Sequence, residues 1–171
     1  GARPCTITVQ GRHAAPLQAH LSVIGILIGG DNKDFALTKR DLENVLEAVI
    51  KISSQTGAHI LATTSRRSSN MVEDIVKNKL GAFNNCESLV IANEKNIPGA
   101  VNNILNLSDV VIVSGESISM VSEAVSSGKK VVVFKLESKQ QCLELKHLKF
   151  LDNMKNKGFI SLCKARDIGE A

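Results

Sequence analysis

The chain has 171 residues, 43% of them hydrophobic, which is enough apolar material for one domain with a substantial core. A net charge of only +4, 3% aromatics and no Trp or Tyr leave no stacking platform for single strands, so nucleic acid is not an expected partner. No apolar run approaches the roughly 20 residues that span a bilayer, and Cys5, Cys86, Cys142 and Cys163 are too widely spaced for a metal or redox motif, so the expectation is a cytoplasmic protein with free thiols and no transmembrane segment.

Residues 1–20 follow no regular pattern beyond a possible strand from Thr6 to Val9, and the sequence begins Gly-Ala rather than with Met. The expectation is that residues 1–20 are an arm or the remnant of an upstream domain and that residues 21–171 form the domain proper. Val23 to Ile28 is a short apolar block closed by Gly29-Gly30, suited to a buried parallel strand and too short for a helix. Thr38 to Asp41 reads as an N-terminal capping box, followed by Leu42, Val45, Leu46, Val49 and Ile52 at helical spacing and by Gly57 as the stop.

The pattern repeats with a strand from Ala58 to Thr63, a loop carrying Ser65-Arg66-Arg67-Ser68, and a helix from Asn70 to Leu80. Next come a strand from Ser88 to Ala92, a short helix from Gly99 to Leu107 entered at Pro98, and a strand from Asp109 to Val113. A helix from Ser117 to Ser127, a strand from Val131 to Leu136, a helix from Ser138 to Asn156 and a strand near Phe159 to Leu162 complete the series. This alternation predicts an α/β fold, a doubly wound and mostly parallel sheet of about six strands, Rossmann-like, with helices on both faces.

In such a sheet, ordered 3-2-1-4-5-6, ligands sit beyond the carboxyl ends of strands 1 and 4. The loops there are Gly29-Gly30-Asp31-Asn32 and Ser114 to Ser119, both polar and glycine-bearing. Backbone donors at the start of the helix after Ser117 favour phosphate, and glycine lets backbone approach a ligand closely. One of Arg66 and Arg67 is placed to close over a diphosphate while the other faces solvent, against the plainer alternative that both are surface charge. Glu123, between Met120 and Ala124-Val125, is read as an inward carboxylate suited to the hydroxyls of a ribose, with a buried ion pair as the alternative. The histidines form no ligand pair, no nucleophilic triad can be assembled around the serines, and Gly29-Gly30 lacks the dinucleotide-binding continuation, which disfavours nicotinamide and flavin chemistry.

Ile28-Gly29-Gly30, Thr64 to Arg67, Ser108 to Val113, the block Glu116-Ser117-Ile118-Ser119-Met120-Val121-Ser122-Glu123-Ala124, and Gly128 to Val131 together resemble the mitochondrial-fission-type family of plants and its bacterial relatives. That family is similar to GT-B glycosyltransferases, and this chain resembles the C-terminal, donor-holding half of that fold. Here Glu116-Ser117 stands where the family usually has Asp-Ser, and Asn96-Ile97-Pro98 only approximates its Asn-Pro-aromatic element. The resemblance implies a site of Gly29, Gly30, Arg66, Arg67, Ser114, Glu116, Ser117, Ser119 and Glu123, in which Glu123 binds ribose, Ser117, Ser119 and Gly30 hold phosphates, and Arg66 neutralises the leaving diphosphate. It implies a nucleotide sugar or nucleoside diphosphate as ligand, no metal or other cofactor, and an upstream acceptor-binding domain that supplies the general base. A nucleotide-sugar epimerase of the same architecture and a non-enzymatic interaction scaffold are the competing expectations.

Overall fold

A computed structural model describes residues 21–139 and 145–169. The chain runs β1 (Val23–Ile28), β2 (Phe35–Ala36), α1 (Lys39–Thr56), β3 (His59–Thr64), α2 (Asn70–Leu80), β4 (Cys86–Val90), α3 (Ala100–Leu107), β5 (Val110–Ser114), α4 (Ile118–Ser126), β6 (Lys130–Lys135), β7 (Glu137–Ser138), α5 (Leu145–Asn156) and β8 (Ser161–Lys164), ending in a 3-10 turn, Ala165–Asp167. The main sheet has the order β4-β3-β1-β5-β6-β8, with every neighbouring pair parallel. Counted along this sheet alone, that is the 3-2-1-4-5-6 order expected of a doubly wound fold.

Continuous apolar runs make the central strands buried on both faces, as a parallel sheet requires. On one face Ile24, Ile26 and Ile28 of β1 meet Leu42, Val45, Leu46 and Val49 of α1 and Val72 and Val76 of α2. On the other, Leu27 and the β5 residues Val111 and Val113 meet Ile104 of α3, Val121 and Ala124 of α4 and Leu151 of α5. Each such fully buried aliphatic side chain contributes about 1.5–3 kcal/mol relative to exposure. α3 lies close against β1 because position 25 is glycine: a Cβ there would come 2.4 Å from Ser108 Oγ.

The capping signals are realised. Asp41 N–H donates to Thr38 Oγ1 (3.1 Å) at the start of α1, and Gly57, at φ 78°, closes it in the left-handed conformation. Asp109 anchors the amino end of β1 by accepting from the amides of Ser22 and Val23, both at 2.9 Å.

Several expectations need correction. Ser138 does not open the last long helix but joins Glu137 in β7, paired antiparallel with β2; α5 is described from Leu145, and residues 140–144 lie outside the described residues, as does the 1–20 arm with Cys5, His13 and His20. The last strand falls at Ser161–Lys164 because Gly158, at φ 77°, turns the chain before it. α3 starts at Ala100 after Gly99 in the left-handed conformation, so Pro98 lies outside it. The remaining strands shift by a residue or two at their ends. Cys86 and Cys163 are thiols on the opposite edge strands β4 and β8.

Candidate functional site

The parallel register brings three turns to one level of the carboxyl edge: Ile28 lies opposite Thr64, and Leu27 opposite Val113, so the loops beginning at Gly29, Ser65 and Gly115 emerge side by side. Hydrogen bonds lock them together. Gly29 N–H donates to Ser114 Oγ (2.8 Å), Gly30 N–H to Glu116 Oε1 (3.0 Å), Ser68 Oγ to the Gly29 carbonyl (2.5 Å) and Arg67 Nη2 to Ser117 Oγ (3.3 Å). The turns after β1 and β5 therefore converge, as the sequence predicts.

Their interior is filled. A Cβ on Gly29 would fall 1.5 Å from Glu116 Oε1, and one on Gly30 would fall 2.4 Å from the Arg67 carbonyl oxygen. The expectation that these glycines open the backbone to a ligand is corrected: their missing side chains make room for Glu116 and for the 65–68 loop. The buried carboxylate of this segment is Glu116, 4% exposed. Its Oε2 has no hydrogen-bond partner, and burial pushes the carboxyl above the ordinary carboxylate range against the opposing pull of nearby amides, the Ser114 hydroxyl and the Arg67 charge.

Glu123 is exposed, which corrects its inward reading. On α4 the buried stripe is Val121 and Ala124, and at about 100° per residue Glu123 falls well off it. Met120 and Glu123, one turn apart, share instead the flank that lines an open cavity of about 400 Å³. Arg66 and Ser65 enter that cavity from the loop after β3, and Asn96 to Asn102 from the turn into α3. The volume is in the range of small-molecule sites.

The expected residues thus divide. Gly29, Gly30, Ser114, Glu116 and Ser117 are a buried brace, whereas Arg66, Arg67, Ser119 and Glu123 are exposed around it. Ser117 caps α4 by accepting from Met120 N–H (3.3 Å) and lies 3.2 Å from Ser119 Oγ. Arg67, not only Arg66, engages the site.

Three contributors are invisible in the sequence pattern. Ser68 is buried and braces the first turn. Asn93 donates to the Ser68 carbonyl (3.2 Å) and to the buried Glu73 carboxylate (2.5 Å). His147 of α5, 6% exposed, places Nε2 2.5 Å from the Gly115 carbonyl while its ring packs on Phe35 of β2 (centroids 4.8 Å apart). A lone histidine in a basic helix gives no sequence signal for such a contact.

No described helix is long and apolar enough to cross a membrane. Among solved structures the chain is similar to a UDP-GlcNAc 2-epimerase from Neisseria meningitidis bound to UDP-GlcNAc, with TM-score 0.59, 14% identity, and coverage of 88% of this chain and 35% of that one. It is also similar to the FMN-dependent cysteine decarboxylase TvaF of thioviridamide biosynthesis, with TM-score 0.55, 13% identity, and coverage of 82% and 88%. At these identities the likeness establishes the fold, a GT-B-like Rossmann domain. An uncharacterized protein of Rickettsia prowazekii is 31% identical over 110 residues, which span 64% of this chain and only 30% of that protein's length. The model of one family, described as mitochondrial fission ELM1, matches residues 8–168, nearly the whole sequence. The chain belongs to the mitochondrial fission ELM1 family.

Proposed function

We propose that this domain holds the nucleoside diphosphate of a nucleotide sugar, as the donor-binding half of a GT-B glycosyltransferase-like protein. The observation that carries the reading is the cavity beyond the carboxyl ends of β3 and β4, beside the switch point between β1 and β5, where an exposed carboxylate, Glu123, and an exposed guanidinium, Arg66, enter one space from different elements. Glu123 accepts hydrogen bonds from the ribose hydroxyls, and Arg66 meets the diphosphate with its fork of donors. Arg67, the Ser119 hydroxyl and the exposed first turn of α4 add donors beside it. The turn from Asn96 to Gly99 closes the far side, where the base lies.

Glycosyl transfer needs charge on the departing diphosphate stabilised, and positioned cations and helix amides supply that. The acceptor's general base belongs to the upstream domain under this reading. Titration calorimetry of the chain with UDP, GDP and ADP tests it: saturable heat with at least one of them, lost in Glu123→Ala, is the expected result. Absence of heat with all three overturns it in favour of an interaction scaffold.

A second reading, nucleotide-sugar epimerisation, draws on the likeness to the Neisseria epimerase. Product analysis with a longer protein that includes the upstream region separates the two, because epimerisation yields an isomer of the donor and transfer yields free nucleoside diphosphate.

A further inference from the structure

A second cavity of about 380 Å³ opens on the α1 face of the sheet, at the carboxyl ends of β6 and β8. Arg40 enters it from the first turn of α1, Lys135 from the end of β6, Lys164 from the end of β8, and Arg166 from the turn that follows. Asp41 and Glu137 are its only acidic lining residues. The turn that carries Arg166 is held against α1, because Ile168 belongs to the core beneath that helix and Gly169 fits against its Ala48 and Ile52.

Three lysines elsewhere on this molecule pair with carboxylates, Lys77 with Glu94, Lys79 with Glu47, and Lys139 with Asp31, while others such as Lys51 and Lys95 make no ion pair among the described residues. Arg40, Lys135 and Lys164 make no ion pair among the described residues, although Asp41 and Glu137 line the same cavity. The first amides of the 18-residue α1 add their partial positive charge at the same place.

We propose that this cavity is a second phosphate-binding site, separate from the nucleotide cavity, which takes the phosphomonoester of a hydroxylated ligand. Cations from three chain segments surround a group carrying close to two negative charges, and Arg40 offers paired donors that match its oxygens, while Arg166 shares its charge with Asp167 (3.8 Å). Asp41 and Glu137 offset part of that charge and accept hydrogen bonds from hydroxyls, so a phosphorylated polyol fits better than bare phosphate. The strands β1 and β5 separate this site from the nucleotide cavity at the end of β3, a lateral distance of about 14 Å at ordinary strand spacing. The proposal stands whether or not the other cavity takes a nucleotide.

The test is a titration of the ¹⁵N-labelled chain with inorganic phosphate, with a hexose 6-phosphate, and with vesicles containing phosphatidic acid. Saturable shifts at the amides of Arg40, Lys135 and Lys164 to Arg166 are expected with hexose phosphate, at lower concentration than with inorganic phosphate. Arg40→Gln and Lys164→Gln should each weaken binding about tenfold, while the amides of Arg66 and Ser119 stay unmoved. Binding to vesicles but not to the hexose phosphate would assign the phosphate to a lipid headgroup, which overturns the polyol assignment and keeps the phosphate site. No shift at these amides with any probe, or shifts that both variants leave unchanged, would overturn the site itself.

Discussion

The carboxylate of Glu116 occupies the volume that a side chain on Gly29 would fill, with Oε1 1.5 Å from the position of the missing Cβ. The two residues belong to turns 86 positions apart when measured from Gly30 to Glu116, and the bond between that pair ties the turns together. Alanine at either glycine is therefore destabilising, but through different atoms. Gly29→Ala displaces the end of a flexible side chain, and Gly30→Ala drives into the backbone of Arg67 and Ser68. The expected cost is about 1–2 kcal/mol for Gly29→Ala and about 3 kcal/mol for Gly30→Ala. Adding Glu116→Ala should recover much of the first loss and none of the second, giving a coupling of about 1 kcal/mol in a double-mutant cycle by urea unfolding.

Glu116 also makes stability depend on pH. Burial raises its carboxyl above the ordinary range, so between the free glutamate value of about 4.3 and the raised value the folded chain binds more protons than the unfolded one. Stability from this group is greatest below that window and is lost as pH rises through it. Glu116→Gln cannot ionise, so the difference in unfolding free energy between variant and wild type should move in the variant's favour from about pH 4 towards neutrality, then level off. Arg67→Gln removes an opposing charge and should steepen the wild-type slope. A flat difference across this range would show that Glu116 titrates normally.

The order of the main sheet was legible in the sequence because each buried strand is a short apolar run and each helix carries its own cap, as with Thr38 and Gly57. The β2–β7 pair was not, since two-residue strands have no periodicity and Phe35 and Ser138 meet only through the tertiary fold. The exchange of roles between Glu116 and Glu123 has a similar origin. Apolar neighbours in sequence made Glu123 look buried, but the helical turn rotates it away from Val121 and Ala124. Glu116 precedes the helix, where no periodicity applies, and only the absent Cβ of a distant glycine shows where its side chain goes.

Exposure separates binding from folding at Glu123 and Arg66. Both are exposed and neither makes an ion pair among the described residues, so Glu123→Ala and Arg66→Gln should change unfolding free energy by less than about 0.5 kcal/mol. If they contact ribose and diphosphate, each loses a charge-assisted interaction of about 1.5–3 kcal/mol, a weakening of roughly tenfold to a hundredfold in nucleotide affinity. The Arg66 variant should also flatten the salt dependence of binding, whereas the Glu123 variant should not. Equal affinities across wild type and both variants would remove the nucleotide from this cavity.

His147 is the link through which α5 bears on the site. The Gly115 carbonyl can only accept, so the imidazole donates through Nε2, and the Gly115 amide in turn donates to the Phe134 carbonyl (2.9 Å). Phe35 packs on the same ring, so β2, α5 and the turn after β5 are held by one side chain. His147→Phe keeps the ring and its packing but leaves a buried carbonyl without a donor, at an expected cost of about 1–3 kcal/mol. The loss should be local as well as global. Hydrogen exchange at the Gly30 amide, which bonds to Glu116 one residue beyond the orphaned carbonyl, should accelerate more than at Ile112 in the centre of β5. Were both amides to accelerate equally, His147 would be supporting the domain as a whole, and the turn that carries Glu116 and Ser117 would owe its shape to the Gly29, Gly30 and Arg67 contacts alone.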